Sequence, residues 1–166
     1  MSDAHPPNAP VTPGDDDGTR WVGWVRAEHR TGAIFALAGV FATRGVNVDS
    51  MATGDVHDDA GLVVVTFRAG ERRARLLTRT LERLPQVRSV RVCRADDPRV
   101  RAAAVVHLPD GQRFVPPADA AVRWSGATRD GQPLLVEGAL ADVEATVAAA
   151  RAAGAVRDAT VVQPPA

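Results

Sequence analysis

Between residues 28 and 53 the apolar side chains change their period, and no other stretch restricts the fold so tightly. The run reads EHRTGAIFALAGVFATRGVNVDSMAT. Ile34, Leu37, Ala38 and Phe41 recur at i, i+3, i+4 and i+7, one stripe of an amphipathic helix. Thr31 stands where an N-cap is expected, its hydroxyl able to accept from a first-turn N–H. Gly32 follows and leaves the helix start open to close approach. Gly45, directly after Arg44, is a helix stop. From Val46 the pattern alternates: Val46, Val48, Ser50 and Ala52 point one way, and Asn47, Asp49 and Met51 the other. A strand end, a polar loop, a helix, a glycine turn and a second strand are thus expected in quick succession.

This arrangement has a chemical use. A helix start offers unpaired N–H groups and partial positive charge, which suits a carboxylate. Asn47 and Asp49 on the neighbouring strand offer oxygens that accept from an ammonium group. Together they suit a free amino acid. The competing reading is an ordinary strand–helix–strand unit whose polar positions are merely solvated.

The rest of the chain extends the pattern. Residues 1–19 are rich in proline, glycine and aspartate and nearly free of apolar side chains, which predicts a mobile tail with Asp15, Asp16 and Asp17 solvated. Residues 21–28 read as a first strand with Gly23, Val25 and Ala27 on one face. A polar turn is expected at residues 54–60, where His57, Asp58 and Asp59 make a surface loop more natural than a metal cluster. Residues 62–67 form an apolar third strand. Residues 71–84 form a second helix with Leu77, Leu81 and Leu84 inward and five arginines outward, and residues 87–93 return as a fourth strand. The order βαββαβ with short links predicts an α+β, ferredoxin-like antiparallel sheet. Both helices lie on one face, the first and third strands are central and the second is an edge. An exposed edge of this kind invites a second copy.

Residues 94–99 form a polar linker with a proline. Beyond it, strands are expected at residues 102–108, 121–127 and 134–138, the last two joined by a turn at Arg129, Asp130 and Gly131. Asp142 would cap a helix reaching Ala153, Gly154 would end it, and residues 156–162 would form a final strand before a disordered tail. The second half therefore reads as a smaller ββ(β)αβ unit without its first helix. Domains are placed at residues 20–94 and 100–163.

Composition removes several function classes. Twenty basic and twenty acidic side chains cancel, which argues against a broad footprint for nucleic acid or an anionic membrane. Every basic residue is arginine, so lysine-dependent Schiff-base and phosphate-loop chemistry is excluded. The single cysteine, Cys93, cannot form an intrachain disulfide and reads as a small core residue in a reduced, cytoplasmic setting. No apolar run approaches the roughly 18–20 residues needed to span a bilayer. The four histidines are scattered, and neither Ser50 nor Cys93 has a supporting base, so no catalytic apparatus and no cofactor are expected.

Glu28, Gly32, Phe41, Arg44, Gly45, Asn47, Asp49 and Ser50 resemble, in identity and order, the opening of an ACT domain. The chain is most similar there to the regulatory small subunits of acetolactate synthase, from about Val25 to Val92. The resemblance implies an ACT domain followed by a degenerate ACT-like unit. It also implies a feedback site for valine or a related branched-chain amino acid, in which Gly32 and Asn47 take part. His29, Thr31, Ala33, Ile34, Val48 and Asp49 complete the expected ligand set. His29 departs from the family, which usually has asparagine there, and Thr31 stands where proline or serine is common. The partners implied are the acetolactate synthase catalytic subunit, a thiamine-diphosphate enzyme, the amino-acid effector and a second copy of the chain. A free-standing ACT-domain sensor, or a scaffold serving another enzyme, fits the same residues.

Overall fold

The computed structural model describes residues 18–165, apart from the side chain of Asp55. The predicted tail therefore falls largely outside the described residues, its aspartate run wholly so. The first half contains β1 (Arg20–Glu28), α1 (Ala33–Thr43), β2 (Val48–His57), β3 (Ala60–Arg68), α2 (Glu71–Glu82) and β4 (Val87–Arg94). They form one four-stranded antiparallel sheet in the order β2-β3-β1-β4. This is the ferredoxin-like arrangement expected, with β2 at an edge.

One face of this sheet carries both helices. Val25, Ala27, Val63, Val65 and Phe67 from the strands pack with Leu37, Val40 and Phe41 of α1 and Ala74, Leu77 and Leu81 of α2. Phe41 and Phe67 meet edge-on with ring centroids 5.4 Å apart, a favourable aromatic geometry. The phase of α1 differs from the expectation. Ala33, Leu37, Val40 and Phe41 are buried, whereas Ile34 and Ala38 are exposed. The stripe is rotated because α1 has no charged residue to mark a solvent side. α2 does, and its leucines fall where expected.

Two bulges bend β2, between Val48 and Ser50 and between Thr53 and Val56. The first overturns the simple alternation. Val48 faces Phe67 on the helix side, while Ser50 faces Thr66 and Ala52 faces Val64 on the opposite side. An extra residue in one strand shifts every later side chain in this way. The β2–β3 connection is tighter than expected. β2 runs to His57, and only Asp58 and Asp59 turn the chain, with φ of 48° and 57°, as a two-residue hairpin requires.

The second half contains β5 (Arg101–His107), β6 (Val122–Ser125), β7 (Leu134–Ala139), α3 (Leu140–Ala152) and β8 (Arg157–Val162). Its sheet runs β6-β7-β5-β8, the order of the first sheet repeated, with a loop where the first helix would be. A short 3-10 turn, Thr128–Asp130, joins β6 to β7. α3 starts at Leu140 with Ala139 as its N-cap residue, so Asp142 lies in the first turn rather than capping it. There its charge still complements the helix dipole. Gln163, expected in a disordered tail, is held on both sides. Its N–H donates to the Arg101 carbonyl, and its carbonyl accepts from the Trp24 indole at 2.9 Å.

The two sheets share a core. Val22, Trp24, Leu62 and Val64, on the back of the first sheet, cluster with Ala102, Ala104 and Val106 of β5 and with Leu140, Val143 and Val147 of α3. Arg20 adds a polar tie, its Nη1 donating to both Glu144 oxygens at 2.6 and 2.7 Å. Among the described residues, no helix is long and apolar enough to cross a membrane.

Candidate functional site

The loop between β1 and α1 and the far end of β2 form one cavity. Its walls include His29, Ala33, Ile34, Thr53, Gly54 and Val56, and its volume is about 220 Å³. Register explains the assembly. Glu28 pairs with Ala60, and His57 pairs with the same residue from the other side. The ends of β1 and β2 therefore lie together, and α1 begins beside them.

The loop is fixed by its backbone. The His29 N–H donates to the Asp59 carbonyl at 2.8 Å, and the Ala33 N–H to the Arg30 carbonyl at 3.2 Å. Gly32 is the N-cap residue, with φ 86° and no side-chain hydrogen bond capping the helix. Thr31 therefore does not cap α1, contrary to expectation, because the chain enters the helix one residue later through a left-handed glycine. The first turn carries no acidic side chain either. Among the described residues, the N–H groups of Ile34 and Phe35 are thus left for solvent or an anion, the situation helix starts present when no side chain intervenes.

Not all the expected site residues lie here. His29, Ala33 and Ile34 line the cavity, and Thr31 and Gly32 sit between them in the loop. Asn47, Val48 and Asp49 do not. Val48 pairs with Phe67, whereas Val56 pairs with Gly61. The six intervening steps along β3, at about 3.4 Å each, put roughly 20 Å between the two groups. Within one chain a single amino acid cannot touch both Gly32 and Asn47. Asp49 has a local role instead, its Oδ2 lying 3.7 Å from Arg20 Nε and 3.6 Å from Arg68 Nε. Arg20 Nε is buried without a hydrogen bond. The Ser50 and Thr66 hydroxyls are 2.7 Å apart and bonded to each other.

Sequence reasoning missed Thr53, Gly54 and Val56. The signal that finds them is the two-residue turn at Asp58 and Asp59. It folds β2 directly back on β3 and brings these positions level with the start of α1.

Around the cavity the surface is apolar and, among the described residues, uncovered. Phe35 is 85% exposed, Ile34 47% and Val56 45%, and Ala38, Gly39 and Ala42 continue the exposed side of α1. A helix apolar all round is normally covered. Among the described residues, β2 beside it ends the sheet with no neighbour on its outer side.

An antiparallel sheet carrying two helices on one face, with a small cavity where the first helix begins beside an edge strand, defines the ACT class of fold. Residues 25–86 match the family model described as the ACT domain. Residues 25–86 are thus similar to the ACT domain, and over both halves the chain resembles in fold the acetolactate synthase small subunit. The crystal structure of that subunit from Thermotoga maritima superposes with a TM-score of 0.60 at 16% identity, covering 89% of this chain and 99% of that one. The ligand-free regulatory subunit of aspartate kinase from Thermus thermophilus is more distant, with a TM-score of 0.46 at 17% identity over 84% of this chain and 95% of that one. No curated protein sequence matches the chain.

Proposed function

We propose that this chain is the regulatory subunit of an acetolactate synthase, binding a branched-chain amino acid and setting the activity of a separate catalytic subunit. The observation that carries the reading is the cavity at the uncapped start of α1, beside an unpaired strand edge and an exposed, uncharged helix face. The fold likeness to the acetolactate synthase small subunit over both halves supports the choice of enzyme. As domains we take residues 20–94 and 100–163.

A second copy completes the site. If β2 pairs antiparallel with its counterpart, the Asn47 end of each strand comes to the cavity end of the other, and the 20 Å separation becomes a contact between chains. The effector carboxylate then meets the start of α1 near Gly32, Asn47 of the other copy accepts from its ammonium group, and Ile34 and Val56 receive the branched side chain. Such a ligand touches both copies and so favours the paired arrangement. That differential affinity is what allows it to shift a partner's equilibrium.

Thermal melting tests the reading. At one hundred times its dissociation constant, valine should stabilise the fold by about 2.7 kcal/mol, and Gly32→Asp, which sets a carboxylate against the ligand's own, should abolish the shift. Unchanged melts in valine, leucine and isoleucine would remove the feedback role. Binding to a purified acetolactate synthase catalytic subunit tests the enzyme. One observation favours a second reading, a free-standing sensor of another amino acid. His29 lines the cavity, and imidazole can donate or accept toward a polar side chain.

A further inference from the structure

The second sheet has a face that none of the described residues covers. α3 packs against Ala102, Ala104, Val106, Leu134 and Val136, so the intervening residues of β5 and β7 point away from it. Pairing sets these in rows across the sheet, Leu135 beside Val105 beside Ala159, and Glu137 beside Ala103 beside Val161. The face is apolar and open, with Val105 38%, Leu135 46% and Val161 62% exposed. Trp124 and Arg123 of β6 help to close a concavity of about 380 Å³ over Val105 and Leu135. In a β-sheet exposed on one side the outer residues are ordinarily polar. A contiguous apolar patch in their place marks an interaction surface.

The charges around the patch say what covers it. Arg101 stands at one end of β5, and Arg157, paired with His107, at the other. Arg123 flanks the patch on β6, and its Nη2 bonds the Glu137 carboxylate at 2.9 Å. That bond holds the Glu137 carboxyl below its usual range. Glu137 is the one carboxylate among the described residues of this face; Arg123 bonds it and the Arg101 charge acts on it as well, so two arginines stand against one carboxylate at that end. The rim is therefore cationic at both ends. A second copy applied face to face would set arginine against arginine or histidine whichever way it turned, and like charges at an interface reject a partner.

We infer that the open face of the second sheet docks a different protein, through an apolar patch on that protein ringed by carboxylates. Taking the regulatory reading above, this partner is the catalytic subunit, so the two ends of the chain divide the work. The first sheet's edge meets another copy and the effector, and the second sheet's open face meets the enzyme. The patch supplies a desolvated centre and the arginines supply orientation, the division of labour found in protein interfaces.

The test uses the full chain, Leu135→Glu, and the double variant Arg101→Glu with Arg157→Glu, all at exposed positions and checked by thermal melting. Binding to an immobilised acetolactate synthase catalytic subunit should weaken at least tenfold in either variant, while the valine-induced melting shift stays as in the parent chain. Undiminished binding in both variants overturns the inference. A parallel arm keeps it testable if the parent chain does not bind that subunit. The apolar anion 8-anilinonaphthalene-1-sulfonate should fluoresce on the folded parent chain and lose most of that signal in both variants. Such a result upholds the face and removes acetolactate synthase as its partner. Equal dye fluorescence in all three proteins, with no binding to the subunit, overturns the inference. So does a change in the chain's own oligomeric mass in Leu135→Glu, which would assign the face to a second copy.

Discussion

Gly32 holds φ at 86°, in the left-handed region where only glycine is at ease. Among the described residues no atom lies within 4 Å of where its Cβ would stand, so Gly32→Ala carries a conformational cost alone. That cost should be about 1–2 kcal/mol, read as a lower denaturation midpoint with an unchanged m-value. Gly126 is a different case. At φ 109° its Cβ would lie 2.0 Å from the Pro133 carbonyl oxygen, backbone that cannot yield cheaply. Gly126→Ala should therefore displace β6 from β7, seen as accelerated amide exchange confined to those strands. Asp97 shows a charge effect in the link between the halves. The Arg99 guanidinium and the Arg99 N–H both bond its carboxylate, holding its pKa at about 2. A depressed carboxyl pKa stabilises the fold fully above the unfolded value of about 3.9. The contribution is lost as pH falls from there through about 2. Carbon-detected NMR titration should find the Asp97 carboxyl among the last to protonate, and Arg99→Gln should return it toward its ordinary range. The sequence marked Gly32 as the open start of a helix. It could not say that Gly32 rather than Thr31 occupies the cap, because both residues suit the position and only the backbone path chooses.

At the scale of elements the two helices of the first half make a contrast. α2 sets arginines against solvent and buries Ala74, Leu77 and Leu81, and its start and buried face were legible from period, although it ends at Glu82, two residues before the expected Leu84. α1 has neither acidic nor basic residues, so periodicity found the helix but not its orientation. The exposed Phe35 follows from that same lack of charge, and it carries a prediction. Phe35→Glu, at a side chain 85% exposed, should leave the melting temperature of the isolated chain nearly unchanged. It should weaken self-association at least tenfold in sedimentation equilibrium if α1 faces a second copy. β2 was legible as an edge strand and illegible in its register. Its alternation in sequence is regular, and the bulge that sends Val48 to one face and Ser50 to the other arises from pairing with β3, which no local pattern encodes.

Across the whole molecule the back of the first sheet and the core of the second half are one apolar cluster. Thermal unfolding should therefore be a single cooperative transition by calorimetry, with residues 1–97 alone exposing Val22, Trp24, Leu62 and Val64 and aggregating. Leu140 is 1% exposed at the junction, and Leu140→Ala should cost about 2–5 kcal/mol without splitting that transition. Within the sequence itself lay the order of strands and helices, the repeat of one topology in two halves, the loss of a helix from the second, and the residues at the start of α1. These are local matters, written in hydrophobic period and in glycine and proline placement. Tertiary structure alone decided that Asn47 lies at the other end of β2 from the cavity that His29, Ala33 and Ile34 line, that Thr53, Gly54 and Val56 form the cavity's other wall, and that the two sheets share a core. Those outcomes depend on which residues stand opposite each other across a sheet and on which faces exclude water together. Both are set by contacts between segments far apart in the chain, where a local pattern has no reach.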